Sequence, residues 1–298
     1  MRALFCFAFA ALVSFASLFA DAQETTPNAK ATQFVWPDLA PGETSRSVGE
    51  TLPMRPQDNP PITRVEKIRR PTITVFPATE NANGAAVVIL PGGGFGRVVP
   101  DLEGSEAAAW LNKLGATCFV VNYRTNEVTP KDEPAWKRSL QDSQRVIRWV
   151  RANADQWKLN TDKVGLLAFS AGGQVGSMLI TTDQAAYEPI DKTDSQSFRP
   201  DFAMLVYPWN CYDVKTDALL PQIKVSPQTP PTFIVHTHDD NSSSLGAIYL
   251  YADLKKNNVP AELHVYENGG HGYGTRDRDN SNIGSWTERA TDWLGRKL

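Results

Sequence analysis

The run Val164-Gly165-Leu166-Leu167-Ala168-Phe169 is apolar without a break. It ends in Ser170-Ala171-Gly172-Gly173, and a helix-compatible stretch, Gln174 to Ile180, follows at once. A short apolar run bounded by small residues reads as a buried strand. The chain therefore passes from strand to helix through a very tight turn with one serine at its apex. Such a turn is crowded. The positions two before and two after the serine lie where strand and helix converge, and there only Gly or Ala fits without a clash. They are Ala168 and Gly172. A strained turn of this kind lifts a serine hydroxyl clear of its sheet. The same residues also suit an ordinary loop, so the meaning of Ser170 depends on whether a base and an acid follow it.

The rest of the chain alternates in kind. Strands are expected at Thr72–Phe76, Ala85–Leu90, Ala116–Tyr123, Phe202–Tyr207, Thr232–His236 and Glu262–Tyr266. Helices are expected over Glu106–Leu114, with Ser105 as N-cap, and over Pro134–Trp157, Ser243–Asn257 and Ile283–Leu298. In the second of these, Leu140, Ile147, Val150, Ala154 and Trp157 share one face, and Lys and Arg occupy the other. Alternating strands and helices imply an α/β fold, a mostly parallel central sheet with helices on both faces. The segments at 183–201 and 210–229 are too short for a large lid, which predicts an open cleft suited to a bulky or polymeric substrate.

Met1 to Ala22 reads as a secretory signal, with Arg2 in the n-region, an apolar stretch, and Ala20-Asp21-Ala22 as a cleavage site near Ala22. That implies a secreted or periplasmic protein with no stable membrane insertion after cleavage; an uncleaved N-terminal anchor is the competing reading. Residues 23–68, rich in Pro, Thr, Asn and charge, read as an extended arm lying over a domain at 69–298. The net charge of −3 offers no basic footprint, so no nucleic-acid partner is expected. Cys118 sits in an apolar strand and reads as a buried free thiol rather than a disulfide partner of Cys211.

A serine nucleophile needs a base within hydrogen-bond reach and an acid that orients the base. Downstream, Phe233-Ile234-Val235-His236-Thr237-His238-Asp239-Asp240 ends a strand in two aspartates, and Gly269-Gly270-His271-Gly272-Tyr273-Gly274 follows the next strand. A parallel sheet gathers the carboxyl ends of its strands at one edge, where the three groups can meet. His271 is the candidate base, because flanking glycines let its loop swing the imidazole over the serine. His264 lies inside a strand, and His236 and His238 share the loop of the acid. Asp240 is the preferred acid. Asp239 is the alternative, expected instead to cap the following helix or bond local backbone.

The cluster His236-x-His238-Asp239-Asp240 also suits metal chelation, but four histidines in the whole chain argue against a binuclear site, and neither metal nor cofactor is expected. The strand Val87 to Leu90 ends in Pro91-Gly92-Gly93-Gly94. Without Cβ atoms in the way, its N–H groups can approach a substrate oxygen, so Gly93 and Gly94, with Ala171, are the candidate oxyanion donors. Trp209, Tyr212 and Tyr273 are candidates for stacking on sugar rings. Glu103 can orient the oxyanion loop or favour the N-terminus of the following helix; the second role is preferred.

These motifs, in this order, carry a resemblance. From about Trp36 onward the chain resembles α/β-hydrolase esterases related to acetylxylan and other carbohydrate esterases. The matching segments are Trp36-Pro37, Ala40-Pro41-Gly42, Pro71 to Ala78, Leu90 to Phe95, Asp101-Leu102-Glu103-Gly104, Asn122-Tyr123-Arg124, Phe169 to Gly173 and Gly269 to Gly274. The resemblance implies Ser170 as nucleophile, Asp240 as acid, His271 as base, and an acylated carbohydrate or other small ester as substrate. Chains of this type also carry xylanase-like names, but glycoside hydrolysis ordinarily needs two opposed carboxylates rather than a serine triad. Ala168 departs from the usual Gly, and Asn241-Ser242-Ser243-Ser244 is more polar than the loop usual after the acid. A general carboxylesterase, a serine exopeptidase and a non-catalytic carbohydrate-binding protein are the alternatives.

Overall fold

The protein is described by a computed structural model that covers residues 30–127 and 129–298. The expected export signal lies outside the described residues. Among these, the strands are β1 (Lys30–Phe34), β2 (Val48–Thr51), β3 (Val65–Ile68), β4 (Thr72–Phe76), β5 (Ala86–Leu90), β6 (Thr117–Asn122), β7 (Val164–Phe169), β8 (Phe202–Val206), β9 (Tyr212–Asp213), β10 (Ala218–Leu219), β11 (Thr232–Thr237) and β12 (Ala261–Tyr266). The helices are α1 (Glu106–Lys113), α2 (Lys137–Ala152), α3 (Ala154–Trp157), α4 (Ser170–Thr181), α5 (Leu245–Lys256) and α6 (Trp286–Leu294).

One eight-stranded sheet runs in the order β1-β4-β6-β5-β7-β8-β11-β12. The β1–β4 and β4–β6 pairs are antiparallel and the remaining pairs parallel. This is the expected mostly parallel sheet, and it is the α/β-hydrolase fold. β5 explains why its strands lack alternation. Ala86, Val88 and Leu90 join a core with residues of α2, α4 and α5, while Val87 and Ile89 join a second core with residues of α1 and α6. Both faces are covered, so both must be apolar. β7 lies between β5 and β8, and all six of its residues are buried.

Three expectations need correction. The stretch read as an arm supplies an edge strand, β1, and a two-stranded ribbon, β2–β3. An edge strand borrows its pairing from a neighbour and needs no apolar run of its own, so periodicity does not mark it. The arm is also anchored. Trp36 is buried and its indole N–H donates to Asp142 at 2.8 Å. Asp142 accepts as well from the backbone N–H and guanidinium of Arg124, which donates onward to the Pro41 carbonyl.

The basic face of α2 is itself covered. Arg145 and Arg148 meet Asp194, and Arg151 pairs with Asp201, so the segment 183–201 lies over that face. Ser105 does not cap α1 with its side chain; a wide helical turn over Asp101–Ser105 leads into the helix. The long helix expected to Trp157 breaks at Asn153, between α2 and α3. Cys118 and Cys211 are both buried free thiols. No helix among the described residues is long and apolar enough to cross a membrane.

Candidate active site

At the end of β7 the backbone of Ser170 turns left-handed, with φ of 51°. A non-glycine residue held there is strained and persists only where its surroundings over-determine it. The surroundings are visible at Gly172, where a Cβ would strike the Leu90 carbonyl and lie 2.6 Å from that of Pro91. The end of β5 is thus what demands glycine at 172. Ala168 is accommodated for a related reason. A Cβ at Gly176 would lie 2.8 Å from the Ala168 Cβ, so the methyl at 168 occupies room that residue 176 leaves empty. α4 starts at Ser170 itself, earlier than the expected Gln174. The N–H of Ala171 therefore falls in a first turn that has no intrahelical acceptor.

His271 arrives on the loop after β12. Gly269, Gly270, Gly272 and Gly274 all have positive φ (138°, 65°, 69° and 58°), so glycine alone makes this path cheap. His271 Nε2 lies 2.7 Å from Ser170 Oγ, and His271 Nδ1 lies 2.6 Å from Asp240 Oδ2. The carboxylate of Asp240 is wholly buried, and its other oxygen accepts the Ser242 N–H at 2.7 Å. Behind it, His236 is buried, with Nδ1 3.8 Å from Asp240 Oδ2. Burial pushes the imidazole pKa of His236 down. The structure thus draws Ser170, His271 and Asp240 into one hydrogen-bonded line.

Asp239 points outward. It does not cap α5; its carboxylate accepts the N–H groups of Gly269 and Gly270 at 3.2 and 2.9 Å, and Thr237 and its own backbone N–H also bear on it. Those donors hold its carboxyl below the ordinary range. One aspartate orients the ring and its neighbour orients the loop that carries the ring.

The preferred role for Glu103 also needs correction. It does not serve a helix N-terminus in water: it is buried, and it accepts the Gly92 N–H at 2.7 Å and the Tyr207 hydroxyl at 2.8 Å. The Tyr207 oxygen in turn accepts the N–H of Gly274, at 2.9 Å, from the loop of His271. Glu103 and Tyr207 thereby tie the triple-glycine loop to the histidine loop. Burial raises the Glu103 carboxyl above its ordinary value. The phenol of Tyr123 also fixes this loop, donating to the Pro91 carbonyl at 2.5 Å. Gly93 and Gly94 have φ of 134° and 66° and line the cleft in front of Ser170.

That cleft has a volume of about 470 Å³. Trp209 lines it, and Tyr212 lines a smaller depression beside Trp209, where it stacks on Tyr249 at 5.6 Å. Tyr273 does not reach it, being fully buried edge-to-face against Tyr207 at 4.4 Å. Arg55, Arg64 and Arg97 also line the cleft, and no pattern in the sequence singles them out. Among the described residues no group of three or more His, Cys, Asp or Glu side chains is placed to hold a metal ion.

Comparison with known proteins agrees with this architecture. Residues 74–207 match the family model BD-FAE. The chain is 31% identical to an acetylxylan esterase of Xylanibacter ruminicola over 65% of its own length and 42% of the relative. It is 27% identical to the endo-1,4-beta-xylanase B of Butyrivibrio fibrisolvens over 68% of its length and 34% of that protein. The chain thus spans well under half the length of these curated relatives. Among solved structures, an acetyl ester-xyloside bifunctional hydrolase of Caldicellulosiruptor lactoaceticus is 29% identical, with a TM-score of 0.65 over 76% of this chain and 88% of the other. An esterase of Thermogutta terrifontis shares the fold at 18% identity, with a TM-score of 0.64 over 85% and 96% of the two chains.

Proposed function

From the premise that this chain is an α/β-hydrolase related to an acetylxylan esterase, we propose that it is a secreted serine esterase removing short acyl groups, chiefly acetyl, from carbohydrate. The observation that carries this reading is the unbroken line Ser170–His271–Asp240 at 2.7 and 2.6 Å. With Asp240 accepting the proton on Nδ1, the lone pair on Nε2 faces the serine hydroxyl. Ser170 Oγ attacks the ester carbonyl carbon while His271 takes its proton. The tetrahedral oxyanion is met by the N–H groups of Gly93, Gly94 and Ala171, and the left-handed turn at Ser170 and the positive φ at both glycines hold these groups in place before substrate arrives.

Collapse of the intermediate breaks the bond to the sugar oxygen, which leaves with the proton from His271. The acyl group stays on Ser170. Water, deprotonated by His271, then releases acetate and restores the serine. Every proton in this cycle moves through His271, so no cofactor is required. Export through residues 1–22 would bring the enzyme to extracellular polysaccharide.

A direct test compares acetate release from acetylated xylan, acetylated chitooligosaccharide and a dipeptidyl amide, with 4-nitrophenyl acetate as a general ester. Wild type should release acetate from glycan and Ser170→Ala should not. Faster cleavage of the peptide than of any ester would replace the esterase with the exopeptidase reading. Ligand binding without turnover in either form would leave only a carbohydrate-binding protein.

A further inference from the structure

Three arginines, Arg55, Arg64 and Arg97, line the same cleft as Ser170, in a chain whose net charge is −3. Arg64 is buried and neutralised: it forms a two-point pair with Asp58, at 2.5 and 3.3 Å, and donates to the Ile62 carbonyl at 3.1 Å. Arg55 is exposed and Arg97 half-buried; neither forms an ion pair among the described residues, and the carboxylate that feels Arg55, Asp58, is already paired with Arg64. The two carboxylates that line the cleft cannot serve them. Asp240 is taken by His271 and Ser242, and Glu103 by Gly92 and Tyr207. Glu66, whose charge also bears on Arg97, lies 3.5 Å from Lys67.

Arg97 is fixed beside the reaction centre. Its Cγ lies 3.0 Å from where a Cβ on Gly93 would stand, so its stem packs along the oxyanion loop. Burial, and after it the positive charges of Arg55 and Arg64, push the Arg97 pKa down, so Arg97 feels both neighbours. Like charges gathered on a partly desolvated wall repel, and an anion between them relieves the repulsion. A guanidinium offers a planar fork of donors that fits a carboxylate in two-point fashion.

We propose that the ester taken by this site is borne on an acidic glycan, a uronate-containing oligosaccharide whose sugar carboxylate is held by Arg55 and Arg97 while the acyl carbonyl faces Ser170. This rests on the serine-esterase reading and narrows its substrate to a class. The field of the arginine wall also draws the anionic chain into the cleft, an attraction that salt screens.

The test measures acetate release from acetylated tri-galacturonate and acetylated xylotriose, matched in acetyl content. Wild type should favour the acidic substrate in kcat/KM by about tenfold or more at low ionic strength, and the preference should shrink as salt rises. In the double variant Arg55→Gln, Arg97→Gln that ratio should fall toward one, chiefly through KM of the acidic substrate, and Arg97→Lys should retain part of it. A wild-type ratio near one, or an unchanged ratio in the double variant, overturns the proposal.

Binding separates this failure from failure of the esterase. Ser170→Ala should bind de-acetylated tri-galacturonate in calorimetry more tightly than xylotriose, and should lose that difference when both arginines are replaced. If wild type fails on 4-nitrophenyl acetate but Ser170→Ala still shows arginine-dependent binding, the catalytic reading falls and the anion site stands. Equal binding of the two sugars sinks the anion site whatever the enzyme hydrolyses.

Discussion

The loop after β11 and the loop after β5 each place a buried carboxylate beneath the turn of Ser170, and the two carboxylates have opposite surroundings. Asp240 faces an imidazole and one backbone N–H. Glu103 faces a backbone N–H and a phenol, both neutral, and burial raises its pKa. A carboxylate against a ring that becomes cationic during attack stabilises charge as it forms. A carboxyl among neutral donors stabilises a shape. The difference teaches that burial and proximity to a nucleophile do not by themselves make a residue part of the proton relay; the partner does.

The largest effect should come from the group both carboxylates serve. Ser170→Ala should lower ester hydrolysis by about 10⁴-fold or more and leave the thermal midpoint close to that of wild type. Activity surviving that change would deny the serine its role. Next, Asp240→Asn should cost about 10³–10⁴-fold in kcat, because the amide favours the wrong imidazole tautomer. Asp239→Asn, which weakens chiefly the contacts to Gly269 and Gly270, should cost roughly tenfold or less. Equal losses at the two positions would erase the division between orienting a ring and orienting a loop.

Glu103→Gln sharpens the contrast. One end of an amide cannot accept from both donors, so kcat should fall by about ten- to a hundredfold, short of the loss of a whole oxyanion donor. Stability should fall too, by about 1–3 kcal/mol, measured by denaturant unfolding. A tautomer-like collapse of 10⁴-fold would instead make Glu103 part of the relay. Tyr207→Phe should be milder, about 1 kcal/mol, with a small loss in kcat as the two loops uncouple.

The smallest effect is in pH. The Glu103 pKa is higher folded than unfolded, so the folded protein binds more protons in the interval between the two values. Its contribution to stability is complete below the ordinary carboxylate pKa and is lost as pH rises through the folded value. Unfolding across that interval should show this decline in wild type and a flatter profile in Glu103→Gln.

Much of the candidate site was legible as residues in order. Ser170 in its turn, His271 among glycines and the pair at 239–240 each announce a local conformation, because small residues and strand ends act through sterics a few positions wide. The choice of Asp240 over Asp239 followed from where a strand-end loop presents its side chain. The task of Asp239 was not legible, since its acceptor role is toward a loop thirty residues on, at Gly269 and Gly270. Glu103 was misread for the same reason: Asp101-Leu102-Glu103 looks like an acidic helix start until β8 brings Tyr207 against it. Tyr273 looked like a substrate platform because nothing nearby in sequence says which way a side chain in a glycine-rich loop will face.

The sequence by itself determined the succession of buried strands and covering helices, the elbow at Ser170, and the glycines of the left-handed turns at 93–94 and 269–274. All of these are enforced by short-range sterics and by the need to bury apolar runs. Only the tertiary structure decided which groups meet. Ser170 and His271 are 101 residues apart, and Tyr207 and Glu103 are 104 apart. Arg55 lines the same cleft as Arg97 because the N-terminal ribbon is bridged to the segment after β5 through Val65 and Val98. Pairings at such separations follow from strand order and crossovers, and no window of sequence contains both partners.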